Sequence, residues 1–310
     1  PTAWLPCSLG SESMTRQFFD YWAPRLRFLD VHYHARPDSY HRRYSAAEAG
    51  ERYARHQGGV VLKNHLGSVS ALAAAMQEMA LPVFGSVVLN AAAGGINLNV
   101  VRQALSQYQF DGAPRLLVHL PTVIPTAHKS TLSRTFSNEY ARHFAGLPLT
   151  IADEDGKLRP EVEALIYFAR HHDIVISSGH ATKDQTLRLI EAVERVGGCR
   201  LMLNQPANPM TGFSASELRA LGEHDWLYVE QCALTVYLGY QPLDDLYEVL
   251  TGVNNVVYSS DLGQPGQPDI GDWLEDSHRW FQAAGIDAER RDAVTRLNPL
   301  RMLEPGRSQG

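Results

Sequence analysis

The chain has 310 residues, 44% apolar and 20% charged, with a net charge of −6; the composition is globular, and its acidity argues against a nucleic-acid partner, which needs a basic face. No apolar run approaches the ~20 residues that cross a bilayer, and the N-terminus lacks the charged and apolar regions of a signal peptide. Cys7, Cys199 and Cys232 are an odd count without CxxC spacing, which speaks against a disulfide framework or a thiolate zinc site and fits a cytoplasmic protein with reduced thiols.

A strand buried on both faces reads as a continuous Val/Ile/Leu run, and such runs alternate with helical stretches along the chain. The first strand is expected over Arg27–His34, followed by a helix near Ala46–His56. A second strand, Gly59–His65, leads to a helix over Ser68–Ala80, with Ser68 as its N-cap. The third strand is Pro82–Asn90, with a helix from Leu98 to Tyr108, and the fourth is Pro114–Pro121. Strand five is Asp173–His180, and its helix, Lys183–Val196, is stopped by Gly197-Gly198. Strand six (Arg200–Pro206) precedes a helix over Ser214–Gly222. Strand seven (Trp226–Cys232) precedes one over Leu243–Leu250, and strand eight (Asn254–Asp261) one near Ile270–Ala284. Repeated right-handed βα crossovers close into a (β/α)8 TIM barrel, which takes ~250 residues or more. One domain is therefore expected over residues 1–310. The stretch from Pro121 to Arg159 is far longer than a βα loop needs and reads as an insertion at about 122–158. The tail, about 299–310, reads as disordered or loosely packed.

The first polar residue after each apolar run sits at the C-terminal mouth of a barrel, where chemistry is done. His32 and His34 are two apart on one strand, so both point to one face. Two imidazoles so spaced either chelate a metal or are satisfied by hydrogen bonds. Lys63 and His65 repeat the spacing on the second strand. His65 is a candidate ligand, and Lys63 is a carboxylated bridging ligand, a charged donor, or an ion-pair partner of Asp261 or Glu230. His119 and His180 end strands four and five as further ligand candidates. Glu230 and Asp261 end strands seven and eight, and a buried carboxylate there calls for a cation. The metal set is thus His32, His34, His65, His119, His180, Glu230 and Asp261, with Asp261, Glu230 and Lys63 as the catalytic groups.

An HxH after strand one, a His after strand five and an Asp after strand eight resemble the metal-dependent amidohydrolase superfamily over nearly the whole chain. In that superfamily the HxH pair and the final Asp bind a metal, and the Asp handles the proton of an attacking water; His32, His34, His180 and Asp261 match. Two positions depart. The superfamily's bridging Lys or Glu at strand four is replaced by His119, and its lone His at strand six by Asn204-Gln205-Pro206. With Asp30-Val-His-Tyr-His34, Leu62-Lys-Asn-His65, Gly94-Gly-Ile-Asn97, Ser178-Gly-His180 and Ser260-Asp-Leu-Gly-Gln264, the altered set is similar to the TIM-barrel nonheme diiron monooxygenases of platensimycin and platencin biosynthesis.

That resemblance implies two iron ions, with O2 and an external reductant as co-substrates and an electron-donor partner. The reaction would be hydroxylation of an unactivated C–H bond in a bulky, diterpenoid-type acyl-CoA in antibiotic biosynthesis. Imidazole and carboxylate ligands suit iron. Arg42, Arg43 and Lys129 on mouth loops would hold the CoA phosphates, and Tyr33 and Phe136 would wall an apolar substrate. The alternative is an amidohydrolase-type hydrolase whose nucleophile is a metal-bound water. The sequence leaves homo-oligomerisation open.

Overall fold

The computed structural model describes residues 17–306, except 127 and 129. Nine parallel strand segments carry the fold: β1 (Phe28–Tyr33), β2 (Gly58–Leu62), β3 (Val83–Phe84), β4 (Ser86–Val88), β5 (Leu116–His119), β6 (Ile174–Ser177), β7 (Arg200–Leu203), β8 (Leu227–Cys232) and β9 (Val256–Ser259). β3 and β4 are the halves of one expected strand. They part at Gly85, whose N–H leaves the ladder to donate to the Tyr108 hydroxyl at 3.1 Å. The ladder runs in chain order, β1-β2-β3 and then β4 to β9. It returns to its start through the Asp261 N–H on the His32 carbonyl (2.8 Å) and the His34 N–H on the Leu262 carbonyl (2.9 Å). The architecture is a (β/α)8 TIM barrel.

α1 (Phe18–Trp22) precedes β1. The outer layer begins with α2 (Ala46–Arg55), α3 (Ser70–Glu78) and α4 (Leu98–Gln107); α5 (Glu139–Phe144) lies in the insertion. α6 (Pro160–Ala169), α7 (Lys183–Val196), α8 (Ala215–Leu221), α9 (Ala233–Tyr237), α10 (Leu243–Gly252) and α11 (Ile270–Ala283) continue it, and α12 (Ala288–Asp292) and α13 (Asn298–Leu303) end the chain. Reciprocal capping boxes, Ser45/Glu48, Thr182/Gln185 and Ser214/Glu217, start α2, α7 and α8. The expected cap at Ser68 is displaced: α3 starts at Ser70 behind Val69, and the Ser68 hydroxyl accepts the Ser70 N–H instead.

Strand alternation sorts the core into two. Outward residues such as Val60, Val118, Ile176 and Val229 pack under the helices. Inward Leu29, Val31, Val61, Phe84, Leu117, Val175, Met202 and Val257 fill the barrel's lower half, with Phe18, Trp22, Leu300, Met302 and Leu303 beneath them. The tail therefore differs from expectation through residue 303, because α13 buries Leu300, Met302 and Leu303 as a floor. Two residues further along each strand, on the same face, the interior turns polar, with Lys63, His119, Ser177, Asn204, Glu230 and Ser259 all buried. β1 reaches that layer through a bulge. Asp30 pairs with Val60 and Tyr33 with Leu62, so two residues of β1, Val31 and His32, face one of β2.

Candidate metal centre

The polar layer converges on one carboxylate. Asp261 lies just past β9 with φ +52°, and the Nε2 atoms of His32 and His34 each stand 3.0 Å from its Oδ1. Gln205, also left-handed at φ +48°, donates its side-chain amide to Asp261 Oδ2. On its other nitrogen, His32 Nδ1 donates to Glu230 Oε1 at 2.8 Å. Burial alone would push the His32 imidazole down, but Asp261 and Glu230 outweigh it and hold it up at about 9. Burial would likewise raise Asp261, yet His32 and His34 keep it well below the usual carboxylate range. Two carboxylates thus enforce a positive charge between them.

The donor atoms of His32, His34 and Asp261 all lie within 4.8 Å of one another. Ligand atoms on a tetrahedral ion at ~2.1 Å stand about 3.4 Å apart, so this N, N, O set fits a divalent metal after a small outward shift. Glu230 does not complete it. Its Oε1 accepts from His32 and from the Ser259 hydroxyl (2.8 Å), and its Oε2 from the Asn204 amide (2.8 Å) and the Gln205 N–H (3.0 Å). Four donors fill its lone pairs. In this arrangement it stands behind His32, turning Nε2 toward Asp261, and with His32 and Cys232 it forms a further cluster of possible metal ligands.

Asp38, which is not among the expected ligands, builds another group with His34 and His65. His65 Nδ1 lies 3.2 Å from both Asp38 oxygens. Arg42 already supplies the cation there, its Nε and Nη2 each 2.6 Å from Asp38 Oδ2. His65 is therefore engaged by Asp38 instead of joining a single seven-residue ligand set. The one sign of Asp38 in the sequence is its place four residues from both His34 and Arg42.

The remaining sequence candidates separate. Lys63 Nζ reaches His32 Nε2 at 3.1 Å and Asn204 Oδ1 at 2.9 Å, with no carboxylate in ion-pair range among the described residues. Burial lowers its pKa. His119 lies deeper, Nδ1 at 2.9 Å from the Ser177 hydroxyl and Nε2 without a partner among the described residues. His180 lines the cavity above the metal group but belongs to none of the three possible ligand clusters among the described residues. Arg42 is buried against Asp38, and Arg43 donates to the carbonyls of Pro265 and Gln267, so neither is free for a phosphate. Tyr33 packs edge-on to Tyr53 under the helices, away from the mouth. Phe136 stacks on Tyr40 at 5.0 Å instead of facing the cavity. Lys129 lies outside the described residues.

The fold and this group define a (β/α)8-barrel protein with a His-His-Asp constellation at the C-terminal mouth. Residues 27–230 match a family of unknown function, DUF6282, and the chain belongs to that family. Among solved structures it is similar to a probable 2-pyrone-4,6-dicarboxylic acid hydrolase from Acinetobacter baumannii with citric acid bound. That likeness covers 89% of this chain and 99% of the other at 12% identity and a TM-score of 0.46. An amidohydrolase 2 from Bifidobacterium longum subsp. infantis covers 89% and 98% at 11% identity and 0.44. A metallopeptidase from Rhodobacter sphaeroides, liganded with a phosphinate mimic of the dipeptide L-Ala-D-Ala, covers 92% and 70% at 13% identity and 0.46. No curated protein matches the chain.

Proposed function

We propose that the protein is a metal-dependent hydrolase of the amidohydrolase type, acting on a small ester, lactone or amide. The observation that carries this reading is the placement of the His32 and His34 Nε2 atoms, each 3.0 Å from one Asp261 oxygen. A divalent ion held by His32, His34 and Asp261 supplies Lewis-acid polarisation of a carbonyl and acidifies water. The protein's own groups do the rest. Glu230 fixes the tautomer and aim of His32, and Gln205, through its bond to Oδ2, holds the Asp261 carboxylate that would take the proton of an attacking water. Lys63 Nζ stands ready to hold negative charge developing on the substrate's oxygen. The His180 ring has no hydrogen bond among the described residues and lines the same cavity, and burial first and then Lys63 hold it neutral, so it is placed to accept a hydrogen bond from the substrate or the attacking water.

Two features favour this reading over a dinuclear iron oxygenase for a bulky acyl-CoA. A second ion beside His34 and His65 would have to displace Arg42 from Asp38. The cavity is also about 220 Å³, smaller than the ~300–1,000 Å³ that holds a drug-sized ligand. The test is metal analysis of the purified protein together with turnover of an ester, lactone and amide panel under argon in 18O-labelled water. One divalent ion per chain and solvent label in the acid product are expected. Turnover that requires O2, with label from 18O2 in a new hydroxyl, replaces the hydrolase with the oxygenase.

A further inference from the structure

One wall of the cavity is not used by the hydrolytic machinery. Arg134, from the insertion, lines it beside Tyr40. The guanidinium carbon of Arg134 lies 5.3 Å from the Tyr40 ring centre, and that of Arg42 lies 5.8 Å from it. The two cations share one ring but not one counter-charge. Arg42 is neutralised by Asp38 at 2.6 Å. Arg134 has neither an ion pair nor a side-chain hydrogen bond among the described residues. Arg42 is only 4% exposed, and its Nη1 is also without a partner among the described residues.

The unmatched charge is felt across the site. After the larger effect of burial, Arg134 adds to what pushes His65 and His180 toward their neutral forms. An exposed loop arginine is ordinarily solvated, but this one is seated on an aromatic face at the cavity wall, which fixes where its donors are presented. Tyr40 is itself held from both sides. Phe136 stacks on it at 5.0 Å, and it meets His65 edge-on at 5.4 Å. The His65 ring then stacks on His34 at 5.1 Å. Arg134 and the metal group are thus two rings apart on one cavity, whose other walls include Leu132, Leu234 and Leu238.

We propose that Arg134, supported by Tyr40, is a carboxylate-binding subsite, and that the substrates are compact carboxylic acids bearing a second, hydrolysable carbonyl group. A planar guanidinium matches a carboxylate through two parallel hydrogen bonds. The cavity of about 220 Å³ limits the body between the two groups to a small one. The carboxylate half of the inference stands on Arg134 alone; the second carbonyl rests on the hydrolytic reading above.

The test is calorimetric titration of the full chain with benzoate, benzamide and phenyl phosphate, before and after chelator treatment. Wild type should bind benzoate at least tenfold more tightly than benzamide, with or without chelation. Arg134→Leu should lose that preference and Arg134→Lys should retain part of it, with the circular dichroism of both variants unchanged. An Arg134→Leu protein that still prefers benzoate, a wild type with no preference, or binding lost on chelation alone overturns the subsite. Phenyl phosphate binding tenfold more tightly than benzoate through Arg134 overturns the carboxylate assignment. Failure of the hydrolytic reading shows separately, as no divalent-dependent turnover of the panel.

Discussion

Asp30 accepts the backbone N–H of Ser260 at 3.1 Å, tying the first strand to the last one residue before Asp261. The same carboxylate oxygen accepts the His32 N–H at 3.0 Å and so braces the bulge that aims His32, while Oδ2 takes the Tyr53 hydroxyl at 2.5 Å. Asp30 touches neither cavity nor metal group, yet both halves of that group hang from it. Asp30→Ala should weaken zinc binding roughly 10–100-fold, as is typical when a group that orients ligands is removed. Zinc titration followed by calorimetry reads this directly. Unchanged affinity would show that the bulge holds without it.

Glu230 offers a sharper contrast. Glu230→Gln replaces an acceptor of four hydrogen bonds with a group whose amide must face a donor. It also breaks one of the two buried ion pairs of His32, leaving Asp261 as its remaining anion, a disruption worth about 3 kcal/mol for a buried pair. A fall of that order in urea-unfolding free energy is expected, with weaker zinc retention. If zinc binding collapses while stability is unaffected, Glu230 acts as a ligand after all.

The closing seam of the barrel has no room to spare at Gly263. A Cβ there would lie 1.9 Å from the His34 carbonyl oxygen, and the residue sits at φ +119°. Gly263→Ala should cost about 3 kcal/mol or more and loosen the metal group through His34. Thermal unfolding and metal content of the variant check both effects together.

Far from the site, Glu217 caps α8 and meets Lys183 at 2.9 Å; its hydrogen bonds to Ser214 and then to Lys183 hold its carboxyl at about 2. A folded pKa below the ordinary value means stability that is full above ~4.5 and lost as pH falls toward 2. The group is largely exposed, so the gain is ~1 kcal/mol or less after solvent screening. Glu217→Gln should therefore be slightly less stable than wild type at pH 7 and equal to it near pH 2. A difference that persists at low pH would point to packing instead of charge.

The strands were legible because a barrel strand buried on both faces leaves an unbroken Val/Ile/Leu run, as in Val256-Val-Tyr-Ser and Leu116-Leu-Val-His. His32, His34 and Asp261 were legible because they end such runs. Asp38 was not, since what gives it a role, the meeting of His34, His65 and Arg42, exists only after folding. Glu230 was legible as a buried carboxylate at the site, but the four donors it accepts from come from other strands and the loops after them, and no spacing shows them. The split at Gly85 depends on Tyr108, remote in sequence. Tyr33 was misplaced for a local reason: alternation from His32 and His34 sends it outward. α13 went unread because six residues with Pro299 near their start carry too little periodicity to signal a helix.

That last helix has a further consequence. With Leu300, Met302 and Leu303 sealing the base under a dry tier of Val61, Leu117, Val175 and Met202, the cavity has an apolar floor between it and the lower end of the barrel. Under the hydrolytic reading, a substrate would meet Tyr40, Arg134 and Tyr240 along the cavity wall on its way to the metal group. If the hydrolytic reading holds, a ligand wedged beneath the insertion should block both entry and release.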